Sequence, residues 1–310
     1  MNTIQSTRQM VKVPQAKLNA LAWAVIFIGS MTPTIILSFF MPVMGVESVM
    51  PVWIAWSQVI VLAVLFSVSW VWPTIEPLRG LILALLAFCV GAFFISPAIR
   101  DSAAYTNWLS QTSWGAALIS SPVTVHLVPV VLMTLTLIGS GIGRRELFLV
   151  RGNLKAAVQP HRLLTNKENE TWNRIGPAFI LIFAAITMIV MWVSLKPDLD
   201  NISQVWPLLP AILIASVINA AAEEFQFRSV LLSRLESVVK PGQIMWMSAL
   251  FFASLHYLTG QPSGPFGVLP TLYLGWVAAK SMLETRGFLY AFVLHTIADV
   301  VIFAFSVMTI

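Results

Sequence analysis

The stretch INAAAEEFQFRSV, residues 218–230, closes an apolar run that begins near Trp206, in a chain where only 10% of residues are charged. An ionisable side chain at the centre of a membrane helix costs at least about 2.5–3.5 kcal/mol, so such residues face a protein interior or a water-filled cavity. Helix geometry separates the two acids of this stretch. At 100° per residue, Glu224 and Arg228 are four apart and share a face, with the acid on the favourable N-terminal side. Glu223 points about 100° away from Glu224 and cannot pair with Arg228 in the same way. The pair reads as structural support, and Glu223 is left for chemistry.

The rest of the chain supplies the membrane setting. Of its 310 residues 58% are apolar, with twelve Trp and nineteen Phe, whereas a soluble domain carries about 25% charged residues. Apolar runs lie near 18–42, 51–73, 80–98, 115–141, 175–195, 206–225, 243–258, 267–283 and 288–308. Roughly 20 apolar residues cross a hydrocarbon core as helix. The expectation is an all-α polytopic integral membrane protein of about eight or nine transmembrane helices, with an intramembrane polar site in its C-terminal half. The start of the chain has no compact apolar core or small-residue cleavage site, so the first helix is expected to be retained. Cys89 is the only cysteine, which excludes an internal disulfide and any cysteine-based metal cluster.

The formal charge of +5 would suggest nucleic acid in a soluble protein, but here the placement of the basic residues matters more, and no nucleic-acid partner is expected. Basic residues precede the first run (Arg8, Lys12, Lys17), fill the stretch from Arg144 to Arg174, and follow the sixth and eighth runs (Arg234, Lys240, Lys280, Arg286); the intervening loops hold Glu47, or Asp198 and Asp200, or no charge in TGQPSGPF. The positive-inside rule then puts the N-terminus in the cytoplasm, in a cell inner membrane. Three parts are expected: N-terminal transmembrane helices (1–142), a basic cytoplasmic connecting segment carrying a surface helix that touches anionic lipid (143–174), and a C-terminal core (175–310).

That core holds the other costly residues. His295 and Asp299, in HTIAD, share a face of the last run, and His256, in FFASLHYL, adds an imidazole with Phe252 one turn before it. A carboxylate and two imidazoles from three helices suit either of two tasks. Glu223, His256 and His295 could hold a divalent metal such as zinc. Alternatively, Glu223 could act as base on a water, with His256 sharing the proton and His295 stabilising an oxyanion, and this cofactor-free route is preferred because no compact zinc-protease spacing is present. His126 and His161 stand alone and read as a polar filler and a solvated residue.

EEFQFR fits Glu-Glu-x-x-x-Arg, FASLH fits Phe-x-x-x-His and HTIAD fits His-x-x-x-Asn/Asp, in that order on successive apolar segments. Over roughly residues 205–305 the sequence resembles the CAAX protease and bacteriocin-processing family (Abi-type intramembrane proteases), which includes type II CAAX prenyl endopeptidases. The resemblance implies an intramembrane endopeptidase acting on a membrane-associated peptide or protein. It implies water activation by Glu223 and His256, oxyanion stabilisation by His295 and Asp299, and support from Glu224, Arg228 and Phe252. One departure matters: an asparagine amide donates to an oxyanion, whereas an ionised Asp299 only accepts, so Asp299 must be protonated, orient His295 or bind metal. Two other classes compete, a proton-coupled transporter and an inactive scaffold of the same fold. A transporter would show paired interrupted helices in two halves, whereas the polar residues lie in one half; a scaffold would not need three complete motifs.

One geometric difficulty follows. A helix running inward from Trp206 carries Glu223 near the cytoplasmic end, while His256 falls late in a segment running outward from about Gln243. Either 228–242 continues as helix into the cytoplasm and the next span is offset, or 243–258 crosses only part-way.

Overall fold

The computed structural model describes residues 14–40, 52–259 and 263–309. Arg8, Lys12, Glu47 and part of TGQPSGPF, which bear on membrane orientation, lie outside the described residues. The described chain is helical: α1 (Gln15–Gly29), α2 (Thr32–Phe40), α3 (Val52–Val68), α4 (Arg79–Val90), α5 (Ser96–Arg100), α6 (Ala103–Gln111), α7 (Trp114–Ile138), α8 (Trp172–Leu195), α9 (Ile202–Glu224), α10 (Leu231–Leu235), α11 (Pro241–Leu258), α12 (Pro265–Thr285) and α13 (Leu289–Val307). One π-helical segment, Gly91–Ile95, joins α4 to α5, and another, Phe225–Val230, joins α9 to α10.

Among the described residues, six helical stretches are long and apolar enough to cross a membrane, Glu76–Arg100, Trp114–Ile138, Trp172–Leu195, Leu199–Leu235, Pro265–Thr285 and Leu289–Val307, or up to seven if α1 and α2, bent by 65°, form one broken span. This is fewer than the expected eight or nine, and the reasons are local. The run 18–42 breaks at Ser30, α3 is short, and α11 is diluted by Gln243, Ser248, Ser254 and His256 and largely buried inside the bundle. The protein is an integral membrane protein of all-α architecture.

Breaks in membrane helices leave backbone carbonyls that lipid cannot satisfy, and here side chains take them up. The buried Gln58 of α3 donates through Nε2 to Ile28 O and Ser30 O at the α1–α2 break, both at 2.7 Å. Pro129 inside α7 has no N–H for the carbonyl of Val125 four residues earlier. Ser96 Oγ donates to that carbonyl from the neighbouring helix (3.1 Å). Gly91 makes the approach possible, since a Cβ there would lie 2.9 Å from the Pro129 backbone.

The basic connecting segment carries no surface helix. Residues 139–171 are turns with two isolated bridges, Ala157 to Thr171 and His161 to Thr165, and they fold back on the α12–α13 turn. Asn153 N donates to Thr285 O (2.7 Å) and Phe288 N to Val150 O (2.8 Å). Lys280 Nζ donates to Gln159 O (2.9 Å), and Trp172 Nε1 to Glu284 Oε2 (2.9 Å). Gly152, at φ +77°, meets Gly287 so closely that a Cβ would sit 2.7 Å from its Cα. The segment's backbone groups, with Lys280, Glu284 and Trp172, make this tertiary staple, while its basic side chains stay exposed.

Candidate active site

α9, the π-segment and α10 run on as one stretch, Leu199–Leu235, before the chain turns into α11 at Pro241. The helix thus continues past Arg228 to Leu235, short of the 242 that the first alternative required. Measured from that turn at 1.5 Å per residue, Glu223 lies about 18 Å up α9 and His256 about 22 Å up α11, so the two reach the same level. The π-segment begins directly after Glu224 and adds a residue to the turn, which π-bulges commonly do at functional sites. Ser248 Oγ of α11 donates to Phe227 O within it (2.7 Å).

Glu224 and Arg228 are both fully buried, with Arg228 Nη1 3.1 Å from Glu224 Oε1. The guanidinium lies over the Phe252 ring, Cζ 4.0 Å from its centroid, and the glycine at 275 leaves room for it, since a Cβ there would meet Arg228 Nη2 at 3.0 Å. The same Glu224 oxygen also accepts from His295 Nδ1 at 2.7 Å. Glu224 thus joins the structural arginine to an imidazole of the site, a link that helix angles on α9 alone do not show because His295 belongs to α13.

Glu223 sits between two imidazoles. His295 Nε2 is 3.3 Å from Glu223 Oε2, and His126 Nε2 is 3.4 Å from Glu223 Oε1. Oε2 is buried and accepts no hydrogen bond from the described residues. Asp299 Oδ1 lies 3.6 Å from His295 Nε2, and its Oδ2 accepts from Asn219 Nδ2 (3.1 Å). Asn219 Oδ1 in turn meets His126 Nε2 at 3.2 Å, and Gln226 Nε2 meets His126 Nδ1 at 3.3 Å.

His256 stands beside this cluster and is not bonded into it. Its Nδ1 is 3.2 Å from its own helix carbonyl at Phe252, and a carbonyl only accepts, so Nδ1 carries the hydrogen and Nε2 is the lone-pair nitrogen. Its ring contacts Phe252 edge-on at 4.4 Å, and Phe252 contacts His295 at 5.5 Å, so one phenylalanine buttresses both imidazoles and the arginine. His256 lines both cavities that flank the site. One, of about 50 Å³, runs along α8 and α12 past His295 and Asp299; the other, of about 370 Å³, contains Glu223, His126 and Asn219. Among the described residues, no group of three or more His, Cys, Asp or Glu side chains is arranged to hold a metal ion. The imidazole nitrogens face Glu223 at 3.3–3.4 Å.

Glu223, Glu224, Arg228, Phe252, His256, His295 and Asp299 are thus brought to one place. His126, which reads in the sequence as a lone filler, belongs there too, as do Asn219 and Gln226. The last two carry a signal in the sequence: read as one regular helix through 219–226, Asn219 and Gln226 fall within about 60° of Glu223. His126 carries none, because it comes from α7, far from the three motifs. His161 stacks on Trp276 at 4.6 Å, away from the site, its pKa lowered by burial and by Lys280 and Arg162 nearby.

No curated protein and no solved structure matches the chain. Residues 205–301, which contain all three motifs, match the family model described as type II CAAX prenyl endopeptidase Rce1-like. The match covers about the last third of the chain and agrees with the resemblance its motifs present.

Proposed function

We propose that the protein is an intramembrane endopeptidase that hydrolyses a peptide bond of a membrane-associated peptide or protein with water activated at Glu223 and His256. The observation that carries this reading is the buried Glu223 carboxylate, held between His126 and His295 on the wall of a cavity, with one oxygen that accepts no hydrogen bond from the described residues. A carboxylate so placed can take a proton from water.

In the proposed reaction a water loses a proton to Glu223 or to the lone-pair Nε2 of His256, and its oxygen bonds to the scissile carbonyl carbon. The carbonyl electrons move onto oxygen. Doubly protonated His295 offers Nε2–H to that oxyanion, and Glu224 supplies counter-charge at its Nδ1. The oxyanion collapses, the C–N bond breaks, and the leaving amine takes the proton held by Glu223 or His256. Asp299 accepts from Asn219 and stands near His295, which supports the orienting role among those its chemistry allows. No step is routed through a metal, since among the described residues no group of three or more His, Cys, Asp or Glu side chains is arranged to hold one.

The test is Glu223→Gln in purified, reconstituted protein, with cleavage followed in a membrane proteome that retains candidate substrates. Hydrolysis is expected to vanish while the folded yield stays near wild type. Cleavage at the wild-type rate sinks the proposal.

A further inference from the structure

The larger cavity has a floor and a rim at opposite ends of the bundle. Its floor is made by Gln226, Phe227 and Phe88, all buried. Beneath it, Phe88, Phe227, Phe251 and Phe252 pack ring on ring with centroids 5.4–5.6 Å apart and form an aromatic plug. Its rim is made by Arg100, Ser121 and Thr259, all exposed. A second cavity, of about 640 Å³, shares Arg100 and Ser121 and runs on to Tyr105 and Trp114. Glu223 is therefore reached from the end of the bundle where α5 and α11 finish and α7 begins.

That end is the one poor in positive charge. The basic turns lie at the other end, where α7, α10 and α12 finish: Arg144, Arg145, Arg151, Lys155, Arg162, Lys167, Arg234, Lys240 and Arg286. Basic termini mark the cytoplasmic face. We infer that the scissile segment reaches Glu223 from the non-cytoplasmic side, so that the substrate is a peptide segment presented on that face and not a cytoplasmic tail. This rests on the peptidase reading above for what happens at Glu223, and on the shape of the cavity and the charge of the turns for the direction of access. The plug at the floor and the exposed rim make access one-sided.

Single cysteines test it in the full chain carrying Cys89→Ala: Ser121→Cys at the rim, Val125→Cys within the cavity, and Asn166→Cys in the basic connecting segment. Intact cells are treated with a small, charged, membrane-impermeant thiosulfonate, and labelling is compared with permeabilised cells. Ser121→Cys and Val125→Cys are expected to be modified in intact cells, and Asn166→Cys only after permeabilisation. Modification of Asn166→Cys in intact cells, or of Ser121→Cys and Val125→Cys only after permeabilisation, overturns the inference. Should Val125→Cys perturb packing, Ser121→Cys at the exposed rim still reports the side. Labelling needs no hydrolysis, so a peptidase reading that failed in Glu223→Gln would leave this pattern readable by itself.

Discussion

Replacing Glu224 with Gln separates a structural charge pair from support of the site, because Glu224 Oε1 faces both Arg228 and His295. At 3.1 Å and an effective dielectric of 20, the Coulomb attraction between Glu224 and Arg228 is about 5 kcal/mol. Removing one partner of a buried pair costs about 3–5 kcal/mol, since the other charge is left uncompensated. Stacking on Phe252 returns at most about 2 kcal/mol to Arg228 and is already present in the wild type, so it does not offset the loss. At about 2–4 °C per kcal/mol, Glu224→Gln should lower the unfolding temperature in detergent by roughly 6–20 °C. Adding Arg228→Met removes the stranded charge and puts an unbranched apolar chain under Phe252, so most of the lost temperature should return, because apolar replacement of a buried pair is often neutral. Hydrolysis should stay at least about tenfold down in the double variant, since His295 Nδ1 then faces an amide without charge. Melting followed by size-exclusion fluorescence, with cleavage measured on the same preparations, reads both effects. An equally low unfolding temperature in single and double variants would refute the stranded-charge argument, and full recovery of cleavage would refute the link to His295.

His126→Gln removes an imidazole from Glu223 while keeping a polar group for Gln226, and should lower kcat on the order of tenfold or more with KM little changed; a change in KM alone would count against a role at the carboxylate. For Asp299→Asn, the amide oxygen can still accept from Asn219 while its N–H₂ offers the oxyanion a second donor beside His295, so cleavage should persist or rise. Purified wild type assayed for zinc, with and without chelator, completes that experiment: stoichiometric zinc lost together with activity would overturn the water-activation route. Gly152→Ala places a Cβ 2.7 Å from Gly287 Cα at a positive φ, and should cost more than about 1 kcal/mol, seen as proteolytic nicking of the connecting segment.

Much of the site was legible because its chemistry is written on single helices. Glu224 with Arg228, and His295 with Asp299, are four apart, and a shared helix face follows from covalent geometry alone, whatever the rest of the chain does. The membrane character was equally secure, since apolar composition and span length are properties of the chain. Other features were not of that kind. Whether Glu223 and His256 meet depended on how far α9 continues past Glu223, and that was decided by a π-segment whose backbone is satisfied by Ser248 from another helix. His126 enters the site from α7 because Gly91 and Ser96 let the α4–α5 span pack against Pro129. The connecting segment looked like a lipid-facing helix while its polar groups had no visible partners, and it became a staple once Thr285, Lys280 and Glu284 were brought beside it. Periodicity fixes which residues share a face of one helix; which faces meet depends on packing and on buried polar groups finding partners, and those partners lie scores of residues away in the chain.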